Sequence, residues 1–308
     1  MKTKFFLLIG IFTIALTACE GDDNNGDDPT KPLDDAQISF TKMANCPDAE
    51  VDQAIVWKGA IYYVNRTSFL RYTPAKNEWQ SLAPAPSTNL FVWQDKLYCF
   101  YNSSDKQIYV YADTTDSWEI ADDIPIFNED GNRTNGIYKA GNKLFADISC
   151  GSYYTYHVYL PESKQWKNLK QNLNFDFLQY ACQIGDKVYY NTSLAIFQFD
   201  PESCITTQKL SISRPSYSTG GKLAVCSYNP QQMLYTLSGG KNGDYRVTTG
   251  IYTPSTNEYS EKVFGNNPHG LTEVTIADIP MAINLLTYFD GRIFVGPNNA
   301  AFYELKIR

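Results

Sequence analysis

Apolar and polar positions alternate over short runs of roughly four to eight residues, the period of strands with one buried face, and tight polar turns separate the runs. A strand, a two- or three-residue polar turn and a second strand opening on an aliphatic–aromatic pair recur six times. The first three copies read Val56-Trp57-Lys58-Gly59-Ala60-Ile61-Tyr62, Val92-Trp93-Gln94-Asp95-Lys96-Leu97-Tyr98 and Ala140-Gly141-Asn142-Lys143-Leu144-Phe145. The others are Ile184-Gly185-Asp186-Lys187-Val188-Tyr189, Tyr228-Asn229-Pro230-Gln231-Gln232-Met233-Leu234 and Phe289-Asp290-Gly291-Arg292-Ile293-Phe294. Self-similarity at roughly 35 to 60 residues marks a repeat architecture, in which each unit buries its apolar faces against its neighbours. No long stretch places apolar residues every three to four positions, so the pattern predicts an all-β chain.

Each hairpin has a second half: an aromatic residue, a turn, then usually another aromatic seven residues on. Examples are Tyr72 and Trp79, Tyr111 and Trp118, Tyr159 and Trp166, and Tyr252 and Tyr259. The intervening turns read Thr73-Pro74-Ala75-Lys76-Asn77, Leu160-Pro161-Glu162-Ser163 and Thr253-Pro254-Ser255-Thr256-Asn257. In the fourth unit Phe199-Asp200-Pro201-Glu202-Ser203 keeps the turn, while Thr206 replaces the second aromatic. Four strands per unit, with Tyr on the third and Trp on the fourth, resemble the kelch repeat over most of Ile38 to Arg308. The Gly-Gly of that repeat survives only as Ser238-Gly239-Gly240. The resemblance implies a kelch-like β-propeller.

The last unit, Leu285 to Arg308, holds strands around Leu286, Phe294 and Tyr303 and stops before a fourth. Ile38-Ser39-Phe40-Thr41-Lys42-Met43-Ala44-Asn45-Cys46-Pro47 matches fourth strands elsewhere, such as Trp79 to Pro86. The N-terminal strand is therefore expected to close the last blade and remove an open sheet edge. Six blades result; a seventh would need a hidden unit in the long, irregular 223–284 region.

The start of the chain reads differently. Lys2 and Lys4 precede a short apolar run from Phe5 to Leu16, too short to span a bilayer comfortably. The run ends in Leu16-Thr17-Ala18-Cys19, which resembles the lipobox of bacterial lipoproteins, and the resemblance implies cleavage before Cys19 and lipid on it. An ordinary secretory signal is the other reading. Residues 20–36 hold seven acids against Lys31 and almost no apolar side chains, so they are expected to form a flexible tether. This acidic run is similar to the surface-export signal of Bacteroidetes lipoproteins. The expected organisation is a signal peptide over 1–18, lipidated Cys19 and tether over 19–36, and a six-bladed propeller over 37–308. The expected location is the outer membrane, exposed at the cell surface, with a periplasm-facing lipoprotein as the alternative.

The net charge of −7 belongs mostly to the tether, which leaves the propeller close to neutral and without a basic patch for nucleic acid. Beyond Cys19 there remain Cys46, Cys99, Cys150, Cys182, Cys204 and Cys226, and six thiols allow fifteen pairings. Cys182 and Cys226 occupy matching positions before their turns, so a bridge between neighbouring inner strands competes with buried free thiols. Neither zinc spacing nor another cofactor signature is present.

Hard chemistry is scarce. There is no Gly-x-Ser-x-Gly, no His-Glu-x-x-His and no phosphate-cradling glycine loop. His157 lies in a strand pattern and His269 in a loop of another blade, which argues against the metal site of kelch-fold copper oxidases. Asp130, Asn132 and Thr134 are spaced like the start of a calcium loop but lack its Gly and closing Glu.

Binding residues are expected on the face formed by inter-blade loops and second-to-third-strand loops. Short links such as Pro84-Ala85-Pro86-Ser87 leave little room there, whereas the segments 126–135 and 265–280 are long. The candidate ligand contacts are Asn128, Arg133, Asn174, Arg214, Tyr217 and His269, with Asn65 and Arg66 beside them. Such Arg, Asn and Tyr groups suit a neutral or anionic sugar. The expected function is non-catalytic binding of a glycan or surface protein. The alternative is a sugar mutarotase resembling the kelch-fold sialate epimerases, with Arg133 or Arg214 holding a carboxylate and Glu129 or Glu273 as acid/base.

Overall fold

The computed structural model describes residues 38–102, 106–126, 128–129, 132–150, 152–170, 178, 181–192, 195–211, 222–241, 244–265, 283, 285–298 and 300–307. These residues form six antiparallel sheets. The first strand, β1 (Ile38–Lys42), precedes blade 1, which is β2 (Gln53–Trp57), β3 (Ala60–Val64), β4 (Phe69–Thr73) and β5 (Glu78–Leu82). Blade 2 is β6 (Asn89–Trp93), β7 (Lys96–Tyr101), β8 (Gln107–Ala112) and β9 (Ser117–Ile120). Blade 3 has a short extra strand β10 (Asn128–Glu129), then β11 (Asn132–Ala140), β12 (Lys143–Cys150), β13 (Tyr153–Leu160) and β14 (Gln165–Asn168). Blade 4 is β15 (Ala181–Ile184), β16 (Lys187–Asn191), β17 (Ala195–Asp200) and β18 (Ile205–Ser211). Blade 5 is β19 (Lys222–Tyr228), β20 (Gln232–Lys241), β21 (Asp244–Thr253) and β22 (Glu258–Gly265). Blade 6 is β23 (Leu286–Phe289), β24 (Arg292–Asn298) and β25 (Ala301–Ile307), with β1 as its fourth strand.

The ring closes as the strand pattern predicts. β1 pairs with β25 from Ile38 opposite Ile307 to Lys42 opposite Tyr303. Beyond the strand, Met43 N donates to Phe302 O at 2.8 Å and Cys46 N to Ala300 O at 2.9 Å. The first strand of each blade runs along the inside, with β2 beside β6, β6 beside β11, β15 beside β19, and β19 beside β23, which returns to β2.

The hairpin turns explain the polar punctuation. Lys58 and Gly59 have φ of 43° and 74°, and Asp290 and Gly291 have 50° and 75°. Two consecutive positive φ angles match the right-handed twist of the flanking strands, hence the residue–glycine pairs.

The Tyr-to-Trp spacing also gains a cause, because it clamps one blade to the preceding one. In blade 1, Trp79 Nε1 donates to Ala44 O at 2.9 Å, and Ala44 N donates to Asn77 Oδ1 at 2.9 Å. Tyr72 O–H donates to the same Asn77 oxygen at 2.9 Å. Blade 2 repeats the set one blade on: Trp118 Nε1 to Ala83 O, Ala83 N to Asp116 Oδ1, and Tyr111 O–H to Asp116 Oδ1, at 3.2, 2.9 and 2.7 Å. In blade 3, Trp166 Nε1 donates to Pro125 O at 2.6 Å. Proline has no N–H to satisfy, and the position matching Asn77 and Asp116 is accordingly Lys164. These residues sit at φ of 53°, 50° and 52° for Asn77, Asp116 and Lys164, which ends the turn in the left-handed region.

The core lies between blades rather than in one centre. Trp57, Tyr62 and Phe69 of blade 1 pack on Leu90, Leu97 and Tyr111 of blade 2, while Tyr63 and Tyr72 pack on Phe294 and Phe302 of blade 6. In blade 5, Gly250 lies opposite Tyr235, whose ring crosses it so that the hydroxyl donates to Glu261 Oε1 at 2.5 Å. A Cβ at Gly250 would stand 2.1 Å from that ring. Gly250→Ala is therefore expected to destabilise the protein by about 3 kcal/mol through overpacking, read as a lower chemical-denaturation midpoint at unchanged slope. An unaltered midpoint would contradict this close approach.

The six described cysteines are free thiols. Cys182 on β15 and Cys226 on β19 do occupy neighbouring inner strands. Burial pushes the Cys46 thiol up to about 11 and that of Cys99 to about 12, so both stay protonated and unreactive at neutral pH.

Candidate functional site

The inner strands β2, β6 and β11 enclose a cavity of about 710 Å³, within the ~300–1,000 Å³ range of small-molecule sites. Its residues fall into three levels because the inner strands run in parallel through the ring. The upper level, on the face of the second-to-third-strand loops, carries Asp52, Arg66, Thr88, Asn89, Asn102 and Asn135. Ile55 supplies apolar wall below, backed by Leu90, Phe91 and Ile137, which are buried in the blade packing and present almost no surface themselves. At the opposite end, beside the hairpin turns, stand Val56, Val92 and Lys139. From Asn135 to Lys139 is four residues of strand, or roughly 13 Å.

Part of the polar lining is structural. Gln53 donates to Leu90 O at 2.9 Å and accepts from Leu90 N at 2.8 Å, bridging the inner strands of blades 1 and 2 as a ladder pair would. Asn102 Nδ2 donates to Asn135 O at 3.0 Å, and Lys106 donates to Thr134 O, so the blade 2 loop is tied to the start of β11. Burial holds the Lys106 pKa below its usual value, aided by repulsion from Arg133 and partly offset by Asp147.

Lys139 lines the cavity but is exposed to solvent, and partial desolvation by the surrounding protein lowers its pKa.

The expected site residues distribute unevenly. Arg66 lines the cavity as its strand-end position implies. Arg133 is exposed, but it lies in strand β11 rather than in a loop. The segment read as a long loop folds back as a hairpin, with Asn128 opposite Arg133 and Glu129 opposite Asn132. Asn174, Arg214, Tyr217, His269, Glu273 and the lipidation candidate Cys19 lie outside the described residues. His157 is buried in β13, with its pKa lowered by burial, and belongs to blade 3's packing. No cluster of three or more His, Cys, Asp or Glu suited to a metal occurs among the described residues.

Sequence reasoning missed Lys139, Asn89, Asn102 and Asn135. For Lys139 a signal existed in the repeats themselves. The residue before the last position of the inner strand is Val56, Val92, Lys139, Gln183, Ser227 and Tyr288 in blades 1 to 6, so the cation is an outlier.

Blades 3 and 5 rise above this face. Blade 1 pairs β3 with β4 only from Ile61–Tyr72 to Val64–Phe69, whereas blade 5 pairs β20 with β21 from Met233–Tyr252 to Lys241–Asp244. The five additional residues lift the hairpin by roughly 17 Å. On blade 3, Arg133 faces Ser149, and Ser149 faces Tyr154, so all three share one side of the sheet. Tyr154 is 53% exposed on that side, and Tyr153, on the other, is 63% exposed.

No protein-family profile and no curated protein matches the chain. Among solved structures it is similar to a protein of Bacteroides fragilis whose name calls it exported, at 10% identity and TM-score 0.54, over 89% of this chain and 95% of that one. It is also similar to the extracellular domain of a one-component system of B. thetaiotaomicron, at 13% identity and TM-score 0.48, over 88% of this chain and 40% of that one. This chain thus spans two fifths of that second protein's length.

Proposed function

We propose that the protein is a lipid-anchored propeller at the outer-membrane surface that binds a glycan without transforming it. The observation that supports this most is the cavity on the inner side of blades 1 to 3. It is of small-molecule size and combines an Asn- and Arg-bearing upper rim with an aliphatic wall. Pyranose rings present hydroxyls at their edges and C–H groups on their faces, so such a lining meets both. Exposed Tyr154, on the same side of blade 3 as Arg133, extends the same chemistry along the blade. The anchoring reading rests on Leu16-Thr17-Ala18-Cys19 and the acidic run behind it. The exported character named for the B. fragilis protein of similar fold agrees with it. A periplasm-facing orientation would use the same anchor.

A glycan array probed with the purified protein is expected to show binding that weakens at least about tenfold in an Asn89→Ala/Asn135→Ala variant, the loss of two polar contacts. Absence of binding to every glycan, together with no surface partner in cross-linking, would overturn the reading. The mutarotase alternative rests on Arg133 and Glu129 lying in the same paired segment, with Asn128 opposite Arg133 and Glu129 opposite Asn132. Faster anomer equilibration of sialic acid by NMR would favour it, and an unchanged rate would remove it.

A further inference from the structure

We infer that a β-bulge in β11 sets the selectivity of this cavity, by turning the Asn135 carboxamide inward to read two neighbouring ring hydroxyls of a neutral sugar. Asn102 and Lys106 are the positioning residues that hold it there. This rests on the glycan reading above and specifies which ligand group the site selects.

The register of the sheet carries the argument. β11 pairs with β12 from Ala140 opposite Lys143 up to Gly136 opposite Asp147, then shifts, so that Thr134 rather than Asn135 stands opposite Ile148. The first and second strands of the other five blades pair without such a shift. In a regular ladder Asn135 would take the place opposite Ile148, which is fully buried. The bulge gives that place to Thr134, 1% exposed, and leaves Asn135 half-buried on the cavity wall. An extra residue left unpaired in its ladder bends the strand and re-aims a side chain.

Two contacts from blade 2 hold the bulge. Asn102 Nδ2 donates to Asn135 O at 3.0 Å, and Lys106 Nζ donates to Thr134 O. A disrupted ladder needs other donors for its carbonyls, and these side chains supply them. The glycine that follows has its own cause. A Cβ on Gly136 would stand 2.3 Å from the Tyr138 hydroxyl and 2.9 Å from Asp147 Oδ1, so no larger residue fits after the bulge.

The chemistry that the bulge leaves facing the cavity is neutral. Lys106 is committed to a backbone carbonyl, and Asn102 uses a donor in the same way. The Asn135 carboxamide has no hydrogen-bond partner among the described residues. It presents an acceptor oxygen and a donor nitrogen side by side. Two hydroxyls on adjacent ring carbons, each able to donate and accept, engage both atoms, whereas a lone hydroxyl engages one.

The test uses the full chain purified in detergent, titrated by NMR with the methyl glycosides of glucose, galactose and mannose and with their 3-deoxy and 6-deoxy analogues. Removing O3 breaks every adjacent pair of ring hydroxyls, while removing O6 spares them. At least one parent sugar is expected to bind, its 3-deoxy analogue at least about tenfold more weakly, and its 6-deoxy analogue equally well. Asn135→Ala should bring the parent and 3-deoxy sugars to equal affinity. Asn135→Asp, which accepts from both hydroxyls, should keep the difference. Asn102→Ala and Lys106→Met should shrink it, an effect that lost stability alone does not produce. A 3-deoxy sugar that binds as tightly as its parent, or a difference that survives Asn135→Ala, overturns the inference and leaves the glycan reading intact. A full difference in both Asn102→Ala and Lys106→Met overturns the role of the bulge. If no methyl glycoside binds, the inference falls, and the glycan array decides separately whether the wider reading falls with it. Should Asn135→Ala fail to fold, a folded Asn135→Asp protein without the difference contradicts the inference.

Discussion

Deleting residues 38–47 is expected to abolish cooperative folding or to lower stability by on the order of 5 kcal/mol, the upper end of what local changes cost. The segment supplies the whole fourth strand of blade 6, from Ile38 opposite Ile307 to Lys42 opposite Tyr303. It also buries Ile38 and Cys46 and satisfies the carbonyls of Phe302 and Ala300. Without it β25 becomes an open edge, which offers unpaired backbone groups to other chains. Thermal melts followed by circular dichroism, with size-exclusion chromatography, measure both consequences. A deletion variant that melts like the full chain and stays monodisperse would show that the segment does not close the ring.

Trp79→Ala is the substitution with the largest expected effect, about 3–5 kcal/mol from the emptied aromatic site. Trp79 lies against Tyr63 and Phe302, with ring centroids at 5.1 and 5.0 Å, and its indole N–H holds Ala44 O at 2.9 Å. The truncation removes a cross-blade contact and the clamp on the tail of β1 at once, leaving Ala44 O without its donor. Trp79→Phe keeps most of the ring and loses the hydrogen bond, so it is expected to cost only about 1–2 kcal/mol. Denaturant midpoints for the two variants check the ordering. If Trp79→Phe cost as much as Trp79→Ala, the clamp rather than the packing would carry the stability.

Much of the wheel is legible in the chain because propeller blades repeat the same local demands. Lys58-Gly59 and Asp290-Gly291 announce hairpins, since both positions need positive φ. The interval from Tyr72 to Trp79 announces the third and fourth strands, and the structure shows it serving a backbone N–H and C=O of the preceding blade. What stayed hidden depends on contacts between units. Asn77 and Asp116 read only as turn formers, because their bonds to Ala44 and Ala83 cross from blade to blade. The β10–β11 hairpin is too polar to show strand alternation. Arg66 could be placed near the site from its strand-end position, while Asn89 looks like an ordinary strand start, and Asn135 like the end of a polar loop, until three blades are set side by side. Lys139 becomes conspicuous only against Val56 and Val92.

The closed six-bladed wheel, joined through β1 and β25, positions every strand that lines the cavity, and one covalent measurement tests it directly. Ser39 and Lys306 are opposite each other, so their Cα atoms lie roughly 4.5–5.5 Å apart, within disulfide range. In a Ser39→Cys/Lys306→Cys variant, mild oxidation is expected to link the two new cysteines within one chain, seen by mass spectrometry as a peptide pair joining the two ends of the propeller. Recovery of both residues as free thiols, or linked only between chains, would contradict ring closure by the N-terminal strand.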